Sequence, residues 1–297
     1  MAWYRNIAFL PMIARITIGH REYQTDLSSG RSIAIPMLFS GPQPNSYDVS
    51  PAEARAFEAG SFIGDTRRGG SCNFDTITMT PHCNGTHTEC VGHIALDRIS
   101  VEQILSPGLL PATLISVQVE AALQSDESYE PKKEAGDLLI TFASLRAAFE
   151  KVDLESFADL EASFHEAIII RTLPNENAKM SRRYMEKPAA FFSIEAMTFL
   201  RGLGMRHLLV DIPSLDRAFD EGRMVAHHIF WDVPIGSHAE SAENASQSTV
   251  TEMIFVPDDI PDGRYLVDIQ IAPFAADATP SRPVLFPVLP IPIGSST

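Results

Sequence analysis

The stretch from Pro81 to Ile94 reads PHCNGTHTECVGHI and gathers three histidines, two cysteines and one glutamate within fourteen residues. Few core strands have such a composition. A metal site needs imidazole, carboxylate or thiolate lone pairs converging on one point, and along an extended chain only residues of equal parity converge. Cys83, His87, Glu89 and His93 share parity, so an extended segment lines them on one face and turns His82 away. Gly85 can hold a bulge that changes this.

Outward from that segment the chain alternates short elements. Ser32 to Phe39 (SIAIPMLF) is strand-like and runs into a proline-rich loop, Gly41 to Ser46. Asn73 to Thr80 alternates, with Ile77 and Met79 opposed to Thr76, Thr78 and Thr80. Ser100 and Gln103 have the spacing of a capping box on a short helix. Asp153 to Phe164 places Leu154, Phe157, Leu160 and Phe164 at helical spacing, and Ala167 to Arg171 follows as a buried strand. Ser193 is a helix N-cap with Glu195 in the first turn, and Gly204 is the stop before the strand Arg206 to Ile212. Arg264 to Ala272 is a further alternating strand. His238 to Ser248 is an acidic, serine-rich loop. Strands interleaved with helices predict an α/β or α+β domain. No linker divides the chain, which predicts one domain over residues 1–297. Segment 1–14 is expected to be flexible. The proline-rich end, 280–297, is expected to be an extended arm that packs on something, a second subunit being one choice.

The chain has 297 residues, 45% apolar, with a formal net charge of −15. That is ample material for a core, and the acidic balance argues against nucleic acid and anionic lipid as partners. No apolar run approaches the ~18 residues of a membrane span. Ile7 to Ala14 faintly resembles a signal sequence, but Pro11 interrupts it and Arg15 stands where small residues should follow. A cytoplasmic location is therefore expected. The cysteines Cys72, Cys83 and Cys90 form an odd, clustered set, unlike a secreted disulfide framework. Neither a G-x-S-x-G elbow nor a nucleotide-binding glycine motif is present.

The central segment resembles the signature of the metal-dependent cyclase family, which includes kynurenine formamidases and isatin hydrolases: H-x-G-T-H-x-D-x-x-x-H. Gly85, Thr86, His87 and His93 match in place. Glu89 stands for the aspartate, Cys83 occupies the first histidine's position, and His82 comes one residue early. Other segments follow in the family's order: Thr25-Asp26-Leu27-Ser28, Ala167 to Thr172, Asp211-Ile212-Pro213-Ser214-Leu215-Asp216, Ala226-His227-His228, Glu252 and, loosely, Ser281-Arg282-Pro283-Val284.

The resemblance implies an α/β, cyclase-like fold of the swivelling β/β/α type, a single domain with β-sheet layers flanked by helices, assembled as a homodimer or homotetramer. It implies a divalent ion, Zn2+ or Mn2+, held by His87, Glu89, His227 and Glu252, with a second ion sharing Glu89 and using Cys83. His82 is the alternative to Cys83, and His228 the alternative to His227. His93 would carry protons during hydrolysis of a small amide or cyclic amide, N-formylkynurenine being the leading substrate. Competing readings are a lactam hydrolase or cyclase with another carbonyl substrate, and a catalytically silent metal- or ligand-binding descendant. His20, His165, His207 and His238 read as packing residues, Cys72 and Cys90 as inert thiols. The set Asp211, Ser214 and Asp216 reads as a structural corner.

Overall fold

The computed structural model of the chain describes residues 10–152, 162–239 and 246–292. Seven strands form its centre: β1 (His87–Cys90), β2 (Leu109–Gln118), β3 (Ala167–Leu173), β4 (His207–Val210), β5 (Thr249–Glu252), β6 (Gly263–Ile271) and β7 (Ala278–Pro287). Their order is β6-β2-β3-β4-β5-β1-β7, and β7 pairs back onto β6, so the sheet closes into a barrel-like ring. Strands β2 to β5 run parallel to one another, and β1, β6 and β7 complete the circuit with antiparallel ladders. Arg31–Ser32 adds a short ladder to β7.

Alternation along the strands builds two separate cores. Ala112, Leu114, Ile169, Leu209, Val267 and Leu285 bury one face, in a cluster to which no helix contributes. Ile115, Val117, Ile168, Ile170, Leu208, Val210 and Val250 bury the other face, together with Val101 and Ile104, against three longer helices. These are α1 (Phe142–Val152), α2 (Ile194–Gly202) and α3 (Val225–Trp231). The sequence pattern does not single out α1, whose start is held by reciprocal bonds between Thr141 and Ser144. In α2, Ser193 Oγ accepts the Ala196 amide at 3.0 Å, as its N-cap spacing predicts, and Gly204 takes φ 72° just beyond the end. The fold is a mixed α/β single domain with helices flanking the sheet, and the sheet is closed where layers were expected.

Several local expectations change. Over Ser32 to Phe39 only the Arg31–Ser32 ladder and one bridge, Ala34 to Ile254, are made; Pro36 lacks the N–H that would continue pairing. The strand in Asn73 to Thr80 exists as Asp75–Thr78 but is exposed on both faces, because it pairs only with Glu53–Ala56 and has no core to cover. Residues Val101–Ile104 are helical, yet Ser100 Oγ turns to Glu102 and makes no capping box. Most of the helix expected over Asp153 to Phe164 lies outside the described residues, as do 1–9 of the N-terminal segment; Ile13–Ile18, at the end of that segment, begins a hairpin strand. His238 and Ser248 anchor their loop's ends through bonds to Ile94 and Trp231, the centre of the loop being outside the described residues.

The proline-rich end is extended, but it belongs to this domain's own sheet. Residues 281–287 of β7 pair with 265–271 of β6, and Leu289–Pro290 pairs with the N-terminal hairpin. A chain ending at Pro280 is therefore expected to lose cooperative thermal unfolding, since the ring would open; a retained sharp transition would contradict the closure.

A second prediction concerns pH. His207, at the start of β4, is buried, and burial followed by the charge of Arg206 pushes it down to about 4. In the unfolded chain the ring titrates near ~6.5, so between these values the unfolded state binds more protons. Its contribution is full above pH ~6.5 and is lost as pH falls toward 4, by up to ~3 kcal/mol at 1.36 kcal/mol per unit. His207→Gln is expected to flatten urea-derived stability across this window relative to wild type. Equal slopes would contradict it.

Candidate metal centre

The site lies on the helix-covered face of the ring, where β5 ends. Antiparallel register sets His87 directly opposite Glu252, and Glu89 follows two residues along β1 on the same face. All three are buried to 3% exposure or less. His87 Nε2 stands 3.4 Å from Glu252 Oε2 and 3.9 Å from Glu89 Oε2. Its Nδ1 lies 2.9 Å from the Gly85 carbonyl, which can only accept, so Nδ1 carries the proton and Nε2 presents a lone pair to the carboxylates.

The other imidazoles reach Glu89 from neighbouring elements. His227 comes from α3, a helix whose first amides are capped from a distance: Asp216 accepts from the Ala226 and His227 backbone N–H at 2.8 and 3.1 Å. The same carboxylate holds His227 Nδ1 at 2.7 Å, directing Nε2 to 3.2 Å from Glu89 Oε1 and 3.7 Å from Glu252 Oε1. His228 turns away, its Nδ1 3.2 Å from the Val233 carbonyl. His82 lies 2.9 Å from Glu89 Oε2 through Nδ1 and 2.8 Å from Asp277 Oδ2 through Nε2. His93 stacks on His82 with ring centroids 4.2 Å apart, and its Nδ1 is 3.4 Å from the same Asp277 oxygen.

This corrects the parity expectation, because the segment is not extended throughout. Pro81 opens a helical turn, Pro81–Asn84, which swings His82 inward; the strand runs only from His87 to Cys90, and a tight turn carries His93. That turn requires glycine at position 92, where a Cβ would stand 2.1 Å from the Ile99 carbonyl oxygen.

Donor atoms of His87, Glu89 and Glu252 lie within 4.8 Å of one another, and so do those of His82, Glu89 and His93, Glu89 being common to both groups. Cys83 lines the adjoining cavity but belongs to neither group. Burial, then the charge of Glu252, pushes its thiol up to about 11.

Electrostatics mark the cluster as short of positive charge. Burial opposes ionisation of Glu89, yet the charge of His93 and the contacts of His227 and His82 hold it well below the usual carboxylate range. Burial likewise opposes protonation of His82, but Asp277 and Glu89 lift it to about 10, and Asp216 with the two glutamates raises His227. His87 Nε2 and both Glu89 oxygens nevertheless lack an aligned hydrogen bond, although His82 and His227 stand close to Glu89. Orphaned buried acceptors facing one another are costly. A divalent cation would satisfy them, so the residues present fit a metal.

The cluster opens into a cavity of about 790 Å³, within the range of small-molecule sites. Tyr47, Phe219 and Met224 give it an apolar mouth, with Arg217 alongside. Asp211, by contrast, is structural: it accepts from buried Lys179 at 2.7 Å and from Thr172. Asp216 serves both as corner and as the partner of His227. Asp277 is missed by sequence reading, since it lies 184 residues beyond His93 in an unremarkable turn.

The family described as "Putative cyclase" matches residues 25–217. No match to a curated protein is found. Among solved structures, one described as a potential metal-dependent hydrolase with cyclase activity superposes with TM-score 0.54 at 16% identity, covering 87% of this chain and 97% of its own. Isatin hydrolase A from Labrenzia aggregata gives TM-score 0.54 at 14% identity, with coverage of 88% and 95%. An isatin hydrolase bound to the product analogue thioisatinate gives TM-score 0.54 at 13% identity, with coverage of 89% and 94%. Among the described residues no helix is long and apolar enough to cross a membrane. With the matched segment spanning well over half its length and the ring fold shared with these structures, the chain belongs to the cyclase family.

Proposed function

We propose that the protein is a metal-dependent hydrolase that cleaves the C–N bond of a small amide or cyclic amide. The observation that carries this reading is the pair of donor groups sharing Glu89 at the floor of an open cavity. His87, Glu89, Glu252 and His227 would hold the ion, Zn2+ or Mn2+ by the imidazole and carboxylate character of the set. Such an ion supplies water of lowered pKa and polarises a carbonyl oxygen.

The chain's own residues account for the remaining work. Asp216 fixes the tautomer of His227, and the Gly85 carbonyl fixes that of His87, so both rings present a lone pair. His93 is half-buried at the cavity and is free of the sheet, the placement expected of a proton carrier. It would take a proton from the attacking water and return one to the leaving nitrogen as the C–N bond breaks, giving a carboxylic acid and an amine. The apolar mouth formed by Tyr47, Phe219 and Met224 suits an aryl group. N-Formylkynurenine is the leading substrate, and isatin is the second because several structural neighbours are isatin hydrolases.

His87→Ala is expected to weaken metal binding by about 100-fold or more and to abolish hydrolysis while the fold persists, read by elemental analysis, circular dichroism and an absorbance assay on N-formylkynurenine and isatin. Undiminished metal content would contradict the ligand set. His93→Gln is expected to keep the ion bound at His87, Glu89 and Glu252 and to lose ~100- to 10,000-fold in turnover. A fully metallated wild-type protein that hydrolyses neither compound nor other small amides would instead support a silent descendant.

A further inference from the structure

We propose that Asp277 is the positioning residue for His82 and that His82, through Nδ1, supplies the imidazole of a second metal position shared with Glu89, beside the stacked ring of His93. This rests on the metal-dependent reading above. The nitrogen assignment follows from the acceptor behind the ring. Asp277 Oδ2 is 2.8 Å from His82 Nε2 and Glu89 Oε2 is 2.9 Å from Nδ1; an ion bound at Glu89 would displace the Nδ1 proton, leaving Nε2 donating to Asp277 and the Nδ1 lone pair facing the ion. His227 is arranged in the same way, with Asp216 behind one nitrogen and Glu89 before the other. His82 and Asp277 thus repeat, on the opposite side of Glu89, a device the chain already uses.

Asp277 is fixed by its place in the fold. It immediately precedes β7, whose Ala278 lies opposite Glu89 in the ladder, and its carbonyl accepts the Cys90 amide at 3.0 Å. A Cβ at Gly92 would come 3.3 Å from the Asp277 Cβ, so the turn carrying His93 is pressed against it. One carboxylate therefore orients both stacked rings. The helical turn at Pro81 performs the substitution: it brings His82 to Glu89 from one residue earlier than the family spacing, where Cys83 stands in the chain but outside both donor groups. The rival role for His82 is purely structural, an imidazolium bridging Asp277 and Glu89, with no part in holding an ion.

The two roles separate in zinc affinity, measured by chelator competition on wild type, Asp277→Ala, His82→Ala, the double variant and Cys83→Ser. The proposal expects each single alanine variant to weaken one class of zinc site ~10- to 100-fold, the double variant to lose no more than His82→Ala alone, and Cys83→Ser to bind as wild type. Circular dichroism of the zinc-free variants checks folding, and Asp277→Asn replaces Asp277→Ala if the latter is unfolded. Unchanged affinity in His82→Ala or Asp277→Ala, fully additive losses, or a loss in Cys83→Ser would overturn the proposal while leaving zinc binding by the wild type intact. Wild-type protein that binds no zinc would sink the metal reading itself and this inference with it.

Discussion

Two glutamates with almost no contact with water, Glu89 and Glu252, face imidazole nitrogens whose other ring atoms are already committed. Buried carboxylates opposed to lone pairs repel and are poorly solvated, so the arrangement persists only with positive charge between them, as protons on the rings or as a cation. The surroundings are organised around that need. Each of His82, His87, His93 and His227 has an oxygen acceptor behind one nitrogen, and Asp216 ties the cap of α3 to the orientation of His227. Fold stability and site geometry thus depend on some of the same bonds.

The ring explains why such residues meet. Its parallel strands deliver loops to one end, and the antiparallel insertion of β1 between β5 and β7 brings Glu252, His87 and the turn at Asp277 side by side. Closure through β7 leaves β1 paired along both edges. Loop residues after β4 supply Asp216 and the cavity's far wall, so strands hold the ligating groups while loops shape the opening.

Legibility from sequence followed the range of the interactions. His87, Glu89 and His93 stand in one short motif whose composition has no ordinary packing explanation, and the strands Ala167–Leu173 and Gly263–Ile271 show their burial in their patterns. Pairing His227 and Glu252 with that motif came from family resemblance, because nothing local marks them. An extended segment turns His82 outward and leaves it only as the alternative to Cys83, whereas Pro81 at the start of a helical turn reverses its direction. Asp277 carries no signal at all, since its role is created by a register between strands distant in sequence. The prolines of β7 read as an independent arm, yet strands tolerate proline where an N–H is not needed, and the ladder to β6 forms regardless.

The central claim is that a divalent ion neutralises this buried cluster. Crystals grown from protein loaded with manganese or zinc, with diffraction recorded at the metal's absorption edge, test it most directly. The account predicts an anomalous peak bounded by His87 Nε2, Glu89 and Glu252. A well-ordered cluster without such a peak, its glutamates instead bonded to protonated histidines, would contradict it.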